Sequence, residues 1–134
     1  MEASPSASDR APGRRYRPML ATLAEALPRS QDWTFEPKWD GYRALAYLSG
    51  GQVEVVSRTG KSDLGQRFPS LVAALPEATR GRDCVLDGEI CALDEAGRPR
   101  FSLLQQGKGA IVYQVFDLLE LEGKPLLERP LWER

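Results

Sequence analysis

Apolar and polar residues alternate along several segments of the chain, and alternation with a period of two predicts β-strands. The segment "YRALAYL" has this pattern, "SGG" after it is typical of a hairpin turn, and "QVEVVS" follows as a returning strand. "WTFEP" upstream predicts another strand, and "IVYQVFDLLEL" predicts a long one. One face of the "YRALAYL" strand carries Tyr42, Ala44, Ala46 and Leu48.

The segment "CVLDGEICAL" also has strand-like composition, but Gly88 lies at its centre. A glycine inside a strand weakens it and often marks a bend. Two interpretations therefore stay open, a pair of strands or one bent strand. "DEAGRP" after it predicts a turn, as does "EGKP" further along.

Four segments predict short helices rather than strands. "FPSLVAAL" places Pro69 at a first helical position, where proline is favoured, and "FSLLQQ" predicts another short helix. "TLAEAL" predicts a helical turn ending before Pro28, and Pro130 opens a last helix with "PLWER". Strands with a few short helices indicate an α+β fold, an antiparallel sheet flanked by short helices.

Composition limits the chain to one domain with a modest core. It has 134 residues, of which 42% are hydrophobic and 28% charged, with a net charge of −1. Overall charge thus neither indicates nor excludes nucleic acid. No apolar run is long enough to span a membrane and no apolar signal core is present, so we expect a cytoplasmic protein without a membrane partner.

The first 17 residues differ in composition from the rest. They are rich in Ser, Ala, Pro and Arg, which predicts a disordered basic tail over 1–17 and a folded domain over 18–134. The arginines of this tail are more typical of a solvated arm than of a phosphate-binding cluster.

The absence of histidine excludes several kinds of catalysis. Without it, Ser-His-Asp and Cys-His nucleophile schemes are impossible, and Cys84 and Cys91 alone make a poor zinc site. Two reduced, buried thiols are the simplest interpretation of these cysteines. Catalysis by this chain must therefore use lysine, carboxylate, arginine or a bound metal.

The stretch "FEPKWDGYR" contains the strongest candidate for such chemistry. Lys38, Asp40 and Gly41 spell K-x-D-G, which by itself is also compatible with a strand end and an Asp-Gly turn. Downstream follow "SRTGK", "DGEI", "FSLLQ" and "VYQVFDLL". In order and spacing these five motifs closely resemble the adenylation domain of ATP-dependent DNA ligases, above all the bacterial ligases of end-joining repair. The resemblance runs from about Pro18 to Arg134.

The resemblance implies a role for each matching residue. Lys38 is the nucleophile that takes AMP from ATP, Asp40 positions the reacting groups, and Glu36 lies at the adenine edge. A neutral amine is needed for the attack, so we expect burial of Lys38 between Phe35 and Trp39. Arg43 lies two residues past Gly41, and its fork suits phosphate or ribose oxygens.

Three further residues belong to the implied site. Arg58 in "SRTGK" resembles the arginine that contacts the ribose or the DNA end. Glu89 in "DGEI" resembles the carboxylate linked to the ribose or to a divalent metal, Mg²⁺ or Mn²⁺. Phe116 in "VYQVFDLL" resembles the aromatic that stacks on adenine. Tyr113 and Asp117, in the same strand, are predicted to be structural.

The family continues beyond the motifs found here. A later glutamate motif, two lysines and an OB-fold domain have no counterpart, so we expect a chain that lacks the C-terminal part of a ligase. The implied function is lysine adenylation and sealing of nicked or broken double-stranded DNA in repair and recombination, with the missing half or a second polypeptide as partner. Two alternatives stay open: an RNA ligase or capping-type nucleotidyltransferase, and a truncated inactive module that binds nucleotide or nucleic acid.

Overall fold

The structure, a computed structural model, describes residues 15–134 and contains one antiparallel sheet. Its strands lie in the order β2-β1-β3-β4-β5, and every neighbouring pair is antiparallel. The predicted α+β class with short flanking helices is confirmed. The elements are β1 Tyr42–Ser49, β2 Gln52–Ser57, α1 Leu64–Arg67, α2 Pro69–Ala78, β3 Cys84–Leu93, α3 Phe101–Gln105, β4 Ala110–Leu121, β5 Lys124–Pro125 and a final 3₁₀ turn Leu131–Glu133.

The hairpin between β1 and β2 forms as the alternation predicts. Ser49 pairs with Gln52, and the two residues between them, Gly50 and Gly51, have φ values of 55° and 79°. Two consecutive positive φ values suit the tight turns that match strand twist, and glycine adopts them without steric cost. The local sequence is therefore sufficient to set the register of this strand pair.

The three α-helices help to bury one face of the sheet, which we call the covered face. Leu71 and Leu75 of α2 pack there against alternate residues of the strands, and Leu104 of α3 is fully buried. Tyr113 belongs to this face too, since its hydroxyl donates to the carbonyl oxygens of Ala44 at 2.9 Å and Leu86 at 3.2 Å. The structural role predicted for Tyr113 agrees with these bonds.

The segment "CVLDGEICAL" is a single strand that runs through Gly88 without a break. The glycine is required by close packing, because a Cβ at this position would lie 2.5 Å from the carbonyl oxygen of Gln114 and 2.7 Å from the Tyr113 ring. The pairing of β3 with β4 contains two irregularities, between Val85 and Leu86 and between Asp87 and Gly88. Of the two interpretations left open, one strand is therefore right.

Two predicted elements upstream of β1 are wrong. Residues 22–27 form no helix and residues 33–37 form no strand. The described part of the chain gives these segments nothing to pack against, since Leu23 is 98% exposed and Trp33 is 59% exposed. Short elements of this kind depend on tertiary packing for their stability. Conversely, the short helix α1 was not predicted; Asp63 caps it by accepting a hydrogen bond from the Gln66 N–H.

The packed part of the chain begins before residue 18. Arg15 forms an ion pair with Glu54 at 2.8 Å and lies 4.7 Å from the centre of the Tyr47 ring. The Tyr16 N–H donates to the Tyr47 hydroxyl at 3.0 Å, and the Tyr16 hydroxyl donates to Glu120. These contacts lie within the segment predicted as a disordered tail, whose residues 1–14 are outside the described range.

The two cysteines agree with the simpler expectation of buried thiols. Cys84 and Cys91 are free and buried, and burial raises the pKa of the Cys91 thiol to about 11. An inert thiol follows, because the thiolate is the reactive form. Over residues 15–134, no helix is both long enough and apolar enough to cross a bilayer.

Candidate functional site

The second face of the sheet, which we call the open face, gathers most of the polar motif residues. Arg43 on β1 is directly paired with Glu89 on β3, and Phe116 lies on the next strand, β4. Because β1, β3 and β4 are neighbours, residues separated by up to 73 positions in the chain meet at one place. The sheet itself thus assembles the three residues.

Arg43 is held by the neighbouring strand. Its Nε donates to Asp87 Oδ1 at 2.6 Å and its Nη2 donates to Asp87 Oδ2 at 2.8 Å. The Nη2 group also donates to the carbonyl oxygen of Met19 at 3.0 Å. Hydrogen bonding to Asp87 raises the pKa of Arg43, and the side chains of Arg43 and Asp87 are only 21% and 4% exposed. This bidentate pair is a strong and directional contact.

Phe116 lies against the Arg43 guanidinium because of an irregularity in β4. Asp87 pairs with Asp117 and Gly88 pairs with Val115, so Phe116 is the additional residue of a β-bulge. Bulges re-aim side chains and are frequent beside functional sites. The Arg43 Cζ atom lies 4.8 Å from the centre of the Phe116 ring, a cation–π distance. Phe116 is half-buried and keeps part of its surface open.

Glu89 is the carboxylate at the centre of the open face. Its Oε1 accepts the Gly41 N–H at 3.2 Å. Burial raises the pKa of Glu89, while that hydrogen bond and the charges of Arg43 and Lys38 oppose the rise. The negative charge of Asp40 adds to it. The charges of Lys38 and Asp40 therefore both influence the pKa of Glu89.

Lys38 is exposed, and its predicted burial between two aromatic side chains is wrong. Phe35 is 61% exposed and Trp39 is half-buried. The approach of this segment to β3 is nevertheless close, since a Cβ on Gly41 would lie 1.9 Å from the Ile90 carbonyl oxygen. Gly41 thus brings the backbone beside Glu89, and the amine of Lys38 remains accessible from the open face.

Two other predicted residues are not drawn into this group. Glu36 is exposed on the irregular segment before β1, and Arg58 is exposed in the turn after β2. None of the contacts found among residues 15–134 joins either side chain to Glu89, Arg43 or Phe116. Their roles stay predictions from the resemblance.

Sequence reasoning missed the partner of Arg43. Asp87 was assigned no role from the motif "DGEI", yet it lies inside β3 and is 3% exposed. A usable signal was present, because an acidic residue within an apolar strand requires a cationic partner when it is buried. Asp117, predicted to be structural, forms an ion pair with Arg134 at 3.1 Å, and burial raises the pKa of the Asp117 carboxyl.

Comparison with known proteins identifies the family of this chain. A family profile described as "ATP dependent DNA ligase domain" matches residues 18–134. The multifunctional non-homologous end joining protein LigD of Mycolicibacterium smegmatis is 39% identical over 124 residues, which are 89% of this chain and 16% of the relative. The LigD protein of Pseudomonas aeruginosa is 42% identical over 122 residues, 87% of this chain and 14% of the relative.

Solved structures show the same similarity in three dimensions. The crystal structure of the ligase domain from M. tuberculosis LigD matches with a TM-score of 0.66 and 39% identity, over 74% of this chain and 33% of that chain. A mycobacterial DNA ligase D complexed with ATP and MES matches equally well. The chain therefore spans only a part of each of these relatives. Since the profile covers everything from Pro18 onward, and the predicted resemblance is confirmed, the chain belongs to the ATP-dependent DNA ligase domain family.

Proposed function

We propose that the chain carries the nucleotide-charging step of an ATP-dependent DNA ligase, with Lys38 as the residue that accepts AMP. The observation that supports this most directly is the group of Arg43, Glu89 and Phe116 on adjacent strands, beside the exposed Lys38. A half-buried aromatic ring held by Arg43 and a carboxylate near an exposed amine suit a nucleotide.

The reaction begins with the amine. The lone pair of neutral Lys38 Nζ attacks the α-phosphorus of ATP, a phosphorus–nitrogen bond forms, and the bond to the pyrophosphate oxygen breaks. The nitrogen loses one proton as the phosphorus–nitrogen bond forms. Because an ammonium cannot attack, surroundings that favour the neutral amine accelerate this step. Asp40, two residues on, would orient the amine and the triphosphate.

The nucleotide would be held by the sheet. Adenine stacks on Phe116, a contact worth about 1–3 kcal/mol for a base on an aromatic side chain. Glu89 Oε1 is engaged by the Gly41 N–H, which leaves Oε2 for a ribose hydroxyl or a cation. Glu36 would lie at the adenine edge, and Arg58 would contact the ribose or the DNA end.

A divalent cation fits this site only together with the substrate. Among residues 15–134 no group of three or more side chains could hold a metal on its own. Mg²⁺ commonly keeps several water ligands and binds through one carboxylate plus phosphate oxygens, so Glu89 alone is sufficient on the protein side. Bound there, Mg²⁺ or Mn²⁺ would neutralise charge on the phosphates.

The complete activity follows from the family. AMP passes from Lys38 to a 5′-phosphate of nicked or broken DNA, and a 3′-hydroxyl then attacks and releases AMP. The named relatives act in end joining and DNA repair, and we assign this chain to the same kind of process in the cytoplasm. The remaining ligase segments, on the same or a second polypeptide, would complete the DNA-binding surface.

Charging with ATP labelled at the α-phosphate tests the proposal. The chain should acquire an acid-labile adduct on Lys38 in the presence of Mg²⁺, and Lys38→Ala should abolish it completely. Lys108→Ala is the matched control, since Lys108 is equally exposed but lies in the loop between α3 and β4. Equal labelling of Lys38→Ala and the parent would contradict the assignment of the nucleophile.

The same assay separates the alternatives. Labelling by GTP, or transfer of AMP only to nicked RNA, would indicate a capping-type enzyme or an RNA ligase. The exposure of Lys38 favours one other candidate, a module that binds nucleotide without transferring it. That module would bind AMP in a titration and form no adduct.

A further inference from the structure

The guanidinium of Arg43 is constrained on three sides. Asp87 accepts from its Nε and its Nη2 at 2.6 and 2.8 Å, the Met19 carbonyl accepts from Nη2 at 3.0 Å, and the Phe116 ring lies 4.8 Å away. Within the described range only Nη1 has no hydrogen-bond partner. Arg43 therefore cannot present its fork to a phosphate, because the fork is already used inside the protein.

Asp87 holds the Arg43 guanidinium in this position. It is the one charged residue that is fully buried in the described part of the chain, at 3% exposure. Removing the partner of a buried charge is strongly unfavourable, so Arg43 cannot leave Asp87 without a large loss of stability. The position of the guanidinium is thus determined by β3, not by the ligand.

Phe116 depends on that guanidinium for its orientation. As the additional residue of a bulge, it has no directly opposite residue on β3 to pack against. Instead, the planar guanidinium of Arg43 packs against one face of the Phe116 ring. Because the ring is only half-buried, part of its surface remains open to a second planar group.

We propose that Asp87 is a positioning residue for nucleotide recognition: it clamps Arg43, and Arg43 in turn holds the Phe116 ring in the orientation that stacks a base. This inference rests on the proposed function only where it identifies the base as adenine. Asp87 itself touches neither substrate nor reacting atoms, so its effect must pass through the ring. The chain Asp87–Arg43–Phe116 links three adjacent strands.

Fluorine NMR of protein labelled with 4-fluorophenylalanine tests the clamp without any ligand. The chain has four phenylalanines, and Phe116→Leu identifies the signal of residue 116. In Asp87→Asn that signal should shift and broaden while the other three stay in place. Asp94→Asn is the control, because it breaks a more exposed carboxylate–guanidinium contact to Arg100, at 3.1 Å, that does not involve Phe116.

A second variant keeps the test decisive if Asp87→Asn does not fold. Arg43→Lys retains the positive charge but loses the planar fork, and it should displace the same single signal. An unchanged Phe116 signal in either folded variant would overturn the proposal.

Ligand titrations then separate orientation of a base from general damage. In Asp87→Asn, binding of AMP should weaken about tenfold, while binding of ribose 5-phosphate, which lacks the base, should not change. An equal loss for both ligands would show that Asp87 supports the sugar-phosphate contacts instead, and would overturn the inference. Failure of the parent chain to bind AMP would contradict the proposed function, whereas the ligand-free fluorine spectra would still decide whether the clamp exists.

Discussion

The covered face and the open face of the sheet are built from the same strands, yet they differ in almost every physical property. On β3, Ile90 points to the covered face and is 0% exposed, while its neighbour Glu89 points to the open face and is half-buried. On β1, Ala44 and Arg43 are divided in the same way. Alternate residues of one strand therefore build the core on one side and the candidate site on the other.

The two faces also differ in how completely they are packed. Three helices pack on the covered face and Tyr113 hydrogen-bonds across it, while an apolar groove lined by residues of α2, β3 and β4 stays open there. The open face has a small cluster around Leu45 and Val85, packed by Tyr16, and beyond it the polar group around Arg43 and Glu89. A protein can keep strained or charged groups in this way only if the opposite face supplies the stability that they cost.

The largest difference between the faces should appear on truncating a buried side chain. Ile90→Ala removes a fully buried side chain from the covered face and should lower the free energy of unfolding by about 2–5 kcal/mol. Phe116→Ala removes a larger side chain from the open face but should cost less, because Phe116 is only half-buried. Urea unfolding of both variants measures this; an equal or larger cost for Phe116→Ala would contradict the division of roles.

The charge of Glu89 should give a smaller effect that depends on pH. Burial raises the pKa of Glu89 above its ordinary value of 4.5, so the folded chain binds this proton more tightly than the unfolded chain. The stability that this group contributes is therefore lost as the pH rises from 4.5 through the raised pKa of Glu89 in the folded chain. Glu89→Gln should be more stable than the parent at neutral pH, and the advantage should vanish below pH 4.5.

Asp94, on the turn after β3, should show the opposite dependence of stability on pH. Hydrogen bonds, first from the Arg98 N–H, lower the pKa of Asp94, so its contribution is present at neutral pH and is lost as the pH falls. Asp94→Asn should therefore be less stable than the parent at neutral pH and converge with it in acid. Thermal unfolding from pH 3 to pH 8 compares the two variants; the same sign for both would refute this account of Glu89.

Substitution of Lys38 should have the smallest effect on stability, although Lys38 has the largest proposed effect on the reaction. Lys38 is exposed and forms no hydrogen bond or ion pair with another side chain among residues 15–134, so Lys38→Ala should change the free energy of unfolding by less than about 0.5 kcal/mol. The same variant should lose the AMP adduct entirely. A substantial loss of stability in chemical denaturation would mean that Lys38 has a structural role on the open face.

Local pattern and motif order were sufficient for much of this molecule. The alternation in "YRALAYL" and "QVEVVS", the glycine turn between them and Pro69 at the start of α2 each specify structure over a few residues. Such elements form as predicted because their signals and their interactions are both local. The family was equally accessible, since five motifs in order do not depend on knowing how the strands pair.

Tertiary structure alone decided how the site is arranged. The clamp of Asp87 on Arg43 joins residues 44 positions apart, and the bulge that re-aims Phe116 exists only in the register between β3 and β4. The predicted strand over residues 33–37 fails for the same reason, since it lacks a neighbour to pair with in the described chain. The sequence by itself indicated which residues are candidates for the chemistry and which face of each strand they occupy. Their contacts were decided by the register of β3 with β1 and β4, because these strands are far apart in the chain and no tight turn fixes their pairing as it does for β1 and β2.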